Sequence, residues 1–192
     1  MGLLDQTLSG PSARVTRMHD SPGYTCGTCG ARHEDPPRSY RTHAPAYWSD
    51  DLAATDGSEL TPDLCVIQGE HFFVQGTIDI PLRDADGAFS WGVWVSLSAA
   101  NFGRTVELWE TPGRESEPPY FGWLSTELPV YGRSTLELKT HVHTQPVGRR
   151  PLVEVEPTDH PLAVAQRTGM TMADVRRIAE RLQHPETPRT DG

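Results

Sequence analysis

Two thiols separated by two residues, Cys26 and Cys29, lie near the start of the chain and are followed by Gly30. A Cys-x-x-Cys-Gly turn presents two thiolates to one metal ion and leaves backbone N–H groups free to hydrogen-bond the sulfurs. A structural zinc site takes four ligands at tetrahedral corners. His33 follows Cys29 closely and Cys65 is the remaining cysteine, so the predicted zinc ligands are Cys26, Cys29, His33 and Cys65.

Other interpretations of this motif stay open. His71 is the alternative fourth ligand, and unligated thiols or a redox pair are the alternatives to a metal. A thioredoxin-type pair lies at a helix N-terminus, whose dipole lowers the thiol pKa, whereas Gly30 and the Pro-Pro pair at 36–37 disfavour a helix here. Four protein ligands would leave no position for water, so the predicted zinc is structural and no catalytic residue is assigned.

A second set of histidines supports an alternative function. His141 and His143 alternate on a predicted strand and therefore share a face, which is a spacing that can bind metal or hold an acid/base pair. With His160 further along the chain, His143 gives the alternative of a metal-dependent hydrolase. The sequence does not place a nucleophile such as Ser125 beside them.

The C-terminal region gives a third hypothesis. Ala165, Gly169, Val175 and Ile178 have the spacing of a helix-turn-helix, and the second helix carries several arginines. Two packed helices need the same spacing, and a formal net charge of -9 makes a poor ligand for nucleic acid. DNA binding through these helices is kept as an alternative, although a nucleic-acid partner is not expected.

Length and composition predict one folded domain. The chain has 192 residues, of which 36% are hydrophobic, enough for a core that needs no disulfides. Residues 1–22 and 183–192 are polar and aperiodic, so they are predicted to be a flexible leader and a flexible tail around a domain at 23–182.

The compartment is predicted from the cysteines and from hydropathy. Three cysteines cannot all pair, and two have metal-binding spacing, which favours a reducing compartment. The chain has neither a signal-peptide pattern at its start nor a run of about 20 apolar residues. A cytoplasmic protein without membrane contact is expected.

Hydrophobic periodicity predicts an α+β fold with a mostly antiparallel sheet and packed helices. An N-terminal zinc-knuckle-like turn and a C-terminal helix pair complete it. Strand alternation is clearest at 89–97, and Ser98 is a predicted N-cap of the following helix. The predicted elements are strands at 65–67, 71–80, 89–97, 135–142 and 152–155, and helices at 98–110, 161–167 and 172–182.

Aromatic residues suggest how the protein acts. Trp94 lies on the less apolar face of its strand, and the aromatic segment 120–124 is predicted to be an ordered loop. Together they could line a recognition groove with an acidic rim. The favoured function is therefore a zinc-stapled binding or regulatory domain that recognises another protein rather than an enzyme. The residues of the predicted rim are Glu107, Glu110, Glu115 and Glu117.

Five segments carry a family resemblance. The strings Trp-Gly-Val-Trp and Pro-Pro-Tyr-Phe-Gly-Trp-Leu are the most specific of them. Over about residues 24–182 the chain resembles a bacterial family, the domain of unknown function 2199. The resemblance implies no activity, cofactor or site residue, so the zinc prediction rests on spacing alone. The segments are 26–33, 63–74, 91–98, 118–124 and 157–162.

Overall fold

The computed structural model describes residues 23–184. The predicted leader at 1–22 lies outside the described residues, as does the predicted tail from 185 onward. The strands are β1 (Tyr24–Thr25), β2 (Arg32–His33), β3 (Ser39–Arg41), β4 (Glu59–Leu60), β5 (Leu64–Ile67), β6 (His71–Pro81), β7 (Ala88–Leu97), β8 (Tyr120–Leu124), β9 (Lys139–His143) and β10 (Leu152–Val155). The α-helices are α1 (Ala99–Glu107), α2 (Pro161–Thr168) and α3 (Met172–Gln183), and short 3-10 helices lie at Asp50–Ala54, Arg114–Ser116 and Pro129–Tyr131.

Five strands, β6 to β10, form a closed barrel. Each strand pairs antiparallel with the next, and β10 closes the barrel by pairing parallel with β6. A second parallel pair joins β3 to β7, while β5 and β4 extend the sheet beyond β6. The short β1–β2 hairpin forms a sheet of its own.

The predicted α+β class with a mostly antiparallel sheet is wrong. The fold is mainly β with 25% helix, and its sheet is mixed. Periodicity assigns side chains to faces but carries no strand direction, and both parallel pairs join strands that are distant in the sequence. The segment 120–124, predicted as a loop, is strand β8 in the barrel wall.

The barrel closes over a seam with little backbone pairing. Leu152 on β10 lies opposite Thr77 on β6, and the Thr77 N–H donates to the Pro151 carbonyl at 2.9 Å. The strands approach closely here because Gly76 has no side chain. A Cβ at Gly76 would lie 2.6 Å from Cγ2 of Val153. Any larger residue at Gly76 would therefore push the two strands apart.

Helix α2 completes the seam where the strand pairing ends. The Gln166 side chain accepts a hydrogen bond from the Val155 N–H at 2.9 Å and donates one to the Val153 carbonyl at 2.7 Å. Both valines are buried, so these backbone groups have no access to solvent. The Gln166 amide thus takes the place of a neighbouring strand and fixes α2 against the barrel.

A second apolar cluster covers the outer face of the β5–β6–β7 sheet. It contains Cys65, Phe73 and Trp94, with Trp48 and Leu52 packed against it. The Trp94 side chain does face away from the main core, as its strand position predicts, but it is 0% exposed. Trp94 therefore cannot line a recognition groove, because the segment before β5 covers it.

Two of the α-helices begin at residues whose side chains cap them, and one of these residues is the predicted cap Ser98. The Ser98 side chain accepts from the Asn101 N–H at the start of α1. Thr171 and Asp174 form a capping box at the start of α3, in which each side chain bonds the backbone N–H of the other. Within residues 23–184, no helix has the length and apolarity needed to cross a membrane.

Replacing Gln166 with Ala is expected to lower the free energy of unfolding by about 2 kcal/mol, because two buried backbone groups lose their partners. Gln166→Glu should also destabilise the fold, since a carboxylate oxygen would face the Val153 carbonyl. Val164→Ala, an exposed change on the same helix, should stay within about 0.5 kcal/mol of wild type. Urea unfolding measures all three, and equal stability of Gln166→Ala and Val164→Ala would contradict this role of Gln166.

Candidate metal centre

The Cys-x-x-Cys motif lies in the turn of the β1–β2 hairpin. Tyr24 pairs with His33 across the two strands. Within the turn, the Cys26 N–H donates to the Ala31 carbonyl at 2.9 Å and the Gly30 N–H donates to the Cys26 carbonyl at 3.0 Å. Gly30 has φ +71, a left-handed conformation that disfavours other residues. These hydrogen bonds close a tight turn that carries both cysteines.

Four potential ligand side chains converge at this turn: Cys26, Cys29, His33 and His184. Their ligand atoms all lie within 4.8 Å of one another, and Sγ of Cys29 is 3.3 Å from Nε2 of His33. Tetrahedral zinc with two sulfur and two nitrogen ligands requires separations of about 3.3 to 3.8 Å. Side-chain movements of about 1 Å would therefore complete a site.

One ring nitrogen of His184 has no hydrogen-bond partner. Its Nε2 atom is buried and makes no hydrogen bond. A buried imidazole nitrogen without a partner is costly, and a metal ion is one group that satisfies it. Among residues 23–184, this is the one group of three or more His, Cys, Asp or Glu side chains that is close enough to hold a metal.

Helix α3 brings His184 to the hairpin. Three side chains spaced four residues apart along α3 and its C-terminal cap contact the hairpin, as expected for one helix face. The Arg176 guanidinium lies 5.9 Å from the Tyr24 ring centroid. One turn on, Oε1 of Glu180 accepts from the Gly27 N–H at 2.8 Å, and His184 follows at the end of the helix. The hairpin therefore packs on α3.

The turn favours the ionised form of one thiol. The Cys29 backbone N–H bonds the Cys26 sulfur and lowers the pKa of that thiol, and the Thr28 N–H acts in the same direction. Burial and the negative charge of Glu180 oppose this effect without cancelling it. Because a thiolate is the metal-binding form of cysteine, the backbone of the turn prepares Cys26 for ligation.

Cys65 and His71, the other predicted ligands, lie elsewhere. Cys65 is on β5, opposite Phe73 and fully buried in the second apolar cluster. Burial raises the pKa of its thiol to about 11, which is unfavourable for a metal ligand. His71 is exposed at the start of β6. Neither belongs to the group of four ligand side chains.

His184 was missed because it falls within the predicted flexible tail. Helix α3 runs through Gln183, and His184 is its C-terminal cap. The spacing of four residues from Arg176 to Glu180 to His184 is the signal that could have extended the helix.

The histidines of the hydrolase alternative have separate structural partners. His143 Nε2 lies 3.0 Å from Glu154, and neighbouring His141 lies 3.5 Å from Glu156. His160 is buried at the N-cap of α2, where its Nδ1 accepts from a backbone N–H. Ser125 is fully buried and donates to a backbone carbonyl.

Helices α2 and α3 meet at Gly169, as the helix-turn-helix spacing predicts, but the arginines of α3 already have contacts. Arg176 lies against Tyr24, Arg177 forms an ion pair with Asp174, and Arg181 donates to a carbonyl in the 3-10 helix at Pro129–Tyr131. The opposite face of α3, which carries Val175 and Ile178, packs against the barrel core.

Comparison with known proteins identifies the family. The family described as "Uncharacterized protein conserved in bacteria (DUF2199)" matches residues 25–170. The chain belongs to this family. The predicted resemblance is thus confirmed, and the matched range includes Cys26, Cys29 and His33 but ends before His184. No curated protein and no solved structure matches the chain.

The three thiols are expected to differ in reactivity in the native, metal-free protein. At pH 8 a thiol with a pKa of about 11 is about 0.1% ionised, so Cys65 should react with iodoacetamide about 100-fold more slowly than an ordinary thiol, and its burial should slow it further. Mass spectrometry should find Cys29 alkylated first, Cys26 later because it is buried, and Cys65 only after unfolding. Early alkylation of Cys65 would contradict its placement in the core.

Proposed function

We propose that the protein is a zinc-stapled β-barrel that acts by binding another protein and not by catalysis. The observation that carries the zinc assignment is the convergence of four ligand atoms within 4.8 Å. The buried and unpartnered Nε2 of His184 supports the same assignment. A reducing compartment such as the cytoplasm would keep both thiols available.

The ligand chemistry favours zinc in a structural role. Two thiolates and two imidazoles form a common tetrahedral zinc set, whereas magnesium and calcium select oxygen ligands. When bound, zinc would supply a link between the N-terminal hairpin and the end of α3. Four protein ligands fill a tetrahedral shell, so no position is left for a reactive water.

Zinc content tests the assignment. Wild-type protein purified without a metal-affinity tag should hold about one zinc per chain by elemental analysis. His184→Ala and Cys29→Ser should lose most of it during dialysis against a mild chelator, because three ligands bind more weakly than four. His71→Ala, which removes an exposed histidine, should keep it. Wild type without zinc, or loss on His71→Ala but not on His184→Ala, would contradict the proposed ligand set.

A surface on the outside of the barrel is the best candidate for partner binding. Phe121 and Trp123 on β8 are 41% and 37% exposed, with ring centroids 5.2 Å apart. On the adjacent strand β9, the Lys139 ammonium lies 5.9 Å from the Trp123 ring and the His141 ring lies 6.4 Å from Phe121. Exposed aromatic residues of this kind often dominate binding energy in protein interfaces.

The predicted acidic rim is partly neutralised. Arg104 lies 2.8 Å from Glu117 and 3.0 Å from Glu107, so two of the four glutamates form ion pairs. The Arg104 contact, followed by a hydrogen bond from Tyr120, lowers the pKa of Glu117. The aromatic pair and not the acidic charge is therefore the proposed basis of recognition.

The double variant Phe121→Ala and Trp123→Ala should abolish capture of a partner from lysate of the source cells, because both side chains would contact it directly. Val106→Ala is the matched control, since Val106 is 46% exposed and lies on α1 instead of β8. Quantitative mass spectrometry of the captured proteins compares the three baits. Equal capture by wild type and the double variant would contradict this surface as the binding site.

A further inference from the structure

The two thiols of the candidate metal centre differ in access. Cys29 is exposed at the tip of the hairpin, while Cys26 is buried behind it. Both sulfurs belong to the same group of ligand atoms within 4.8 Å, so each is within a short side-chain movement of the other. The site therefore combines one thiol that an oxidant can reach with a second thiol that can resolve the oxidised product.

We propose that Cys29 is a site of oxidation by hydroperoxide, and that the resulting Cys26–Cys29 disulfide releases the metal and detaches the hairpin from α3. This inference rests on the proposed zinc site. It adds oxidation of Cys29 as a regulatory modification of that site, which a purely structural zinc ion does not require.

The chemistry balances with hydrogen peroxide as the oxidant. The Cys29 sulfur attacks one peroxide oxygen, the O–O bond breaks, and hydroxide leaves as a sulfenic acid forms. The Cys26 thiolate then attacks the Cys29 sulfur, the S–O bond breaks, and a second hydroxide leaves. Two protons from solvent convert both hydroxides to water. Two electrons pass from the thiolates to peroxide, and zinc keeps its charge of +2.

The hairpin can detach from α3 without unfolding of the barrel. Strands β1 and β2 form their own sheet, and their described contacts with α3 come through Arg176, Glu180 and His184. Helix α3 is anchored separately, because Val175 and Ile178 lie in the main core. Loss of the metal would leave the hairpin held to α3 by the Arg176 and Glu180 contacts alone, which favours its detachment while the barrel stays folded.

The third cysteine provides an internal control. Cys65 is 0% exposed among apolar side chains, and burial raises the pKa of its thiol to about 11. It is neither accessible nor ionised at neutral pH, so peroxide should leave it reduced. A response that involves Cys26 and Cys29 alone would be a property of the metal centre and not of thiols in general.

The test treats zinc-loaded protein with a small excess of hydrogen peroxide. A chromogenic chelator should report release of about one zinc per chain, and mass spectrometry should find the mass loss of about 2 Da that a Cys26–Cys29 disulfide causes. Hydrogen exchange should rise in residues 24–33 and at the end of α3 but not in β6 and β7. A thiol reductant followed by zinc should restore all three signals.

Variants separate this inference from the zinc proposal. In Cys26→Ser, Cys29 should stop at the sulfenic acid, which dimedone traps, and in Cys29→Ser no disulfide should form. Cys65→Ala should respond as wild type does. Zinc-loaded protein that keeps its metal and both thiols in peroxide would overturn the oxidation site and leave the zinc staple standing. Purified protein that never holds zinc would overturn both proposals.

Discussion

Closure of the barrel between β10 and β6 is the constraint on which the rest of the structure depends. Backbone pairing at this seam is short, and the absence of a side chain at Gly76 lets the strands meet. The Gln166 amide then satisfies backbone groups that a longer strand would have paired. Because Gln166 belongs to α2, the same contact fixes α2 against the barrel. Helix α3 follows α2 after a short turn and packs its own Val175 and Ile178 into the core, and His184 lies at its end.

The candidate metal centre depends on the barrel and α3 to bring its side chains together. Its ligands come from both ends of the described chain, and the Gly27–Glu180 hydrogen bond beside them joins residues 153 positions apart. Bringing such distant groups together in an unfolded chain would cost conformational entropy, because a long loop must close. In the folded protein the apolar core already holds the barrel and α3 together, and its burial offsets most of that loss of entropy. A bound metal would then have only to fix a short hairpin against a helix end.

Much of the local structure could be predicted, because it is encoded by neighbours in the sequence. The alternation in β7, the Ser98 cap and the Thr171–Asp174 capping box each involve residues a few positions apart. Strand direction at the seam could not be predicted, since it depends on a packing arrangement that leaves no periodic signal. For the site, spacing identified Cys26, Cys29 and His33 as candidates, and these three converge. Cys65 is the predicted fourth ligand because it is the remaining thiol, yet it occupies a core position between apolar neighbours on β5.

The contrast between the three cysteines shows how one residue type acquires different chemistry from its surroundings. Backbone N–H groups in the hairpin turn stabilise the Cys26 thiolate, whereas the apolar cluster around Cys65 stabilises the neutral thiol. Cys29 shares the turn with Cys26 but is open to solvent. A metal would bind in the hairpin and not at Cys65, because the turn lowers the cost of ionising Cys26 and a second sulfur, that of Cys29, lies beside it. Cys65 contributes instead as a small apolar side chain that helps to bury Trp94.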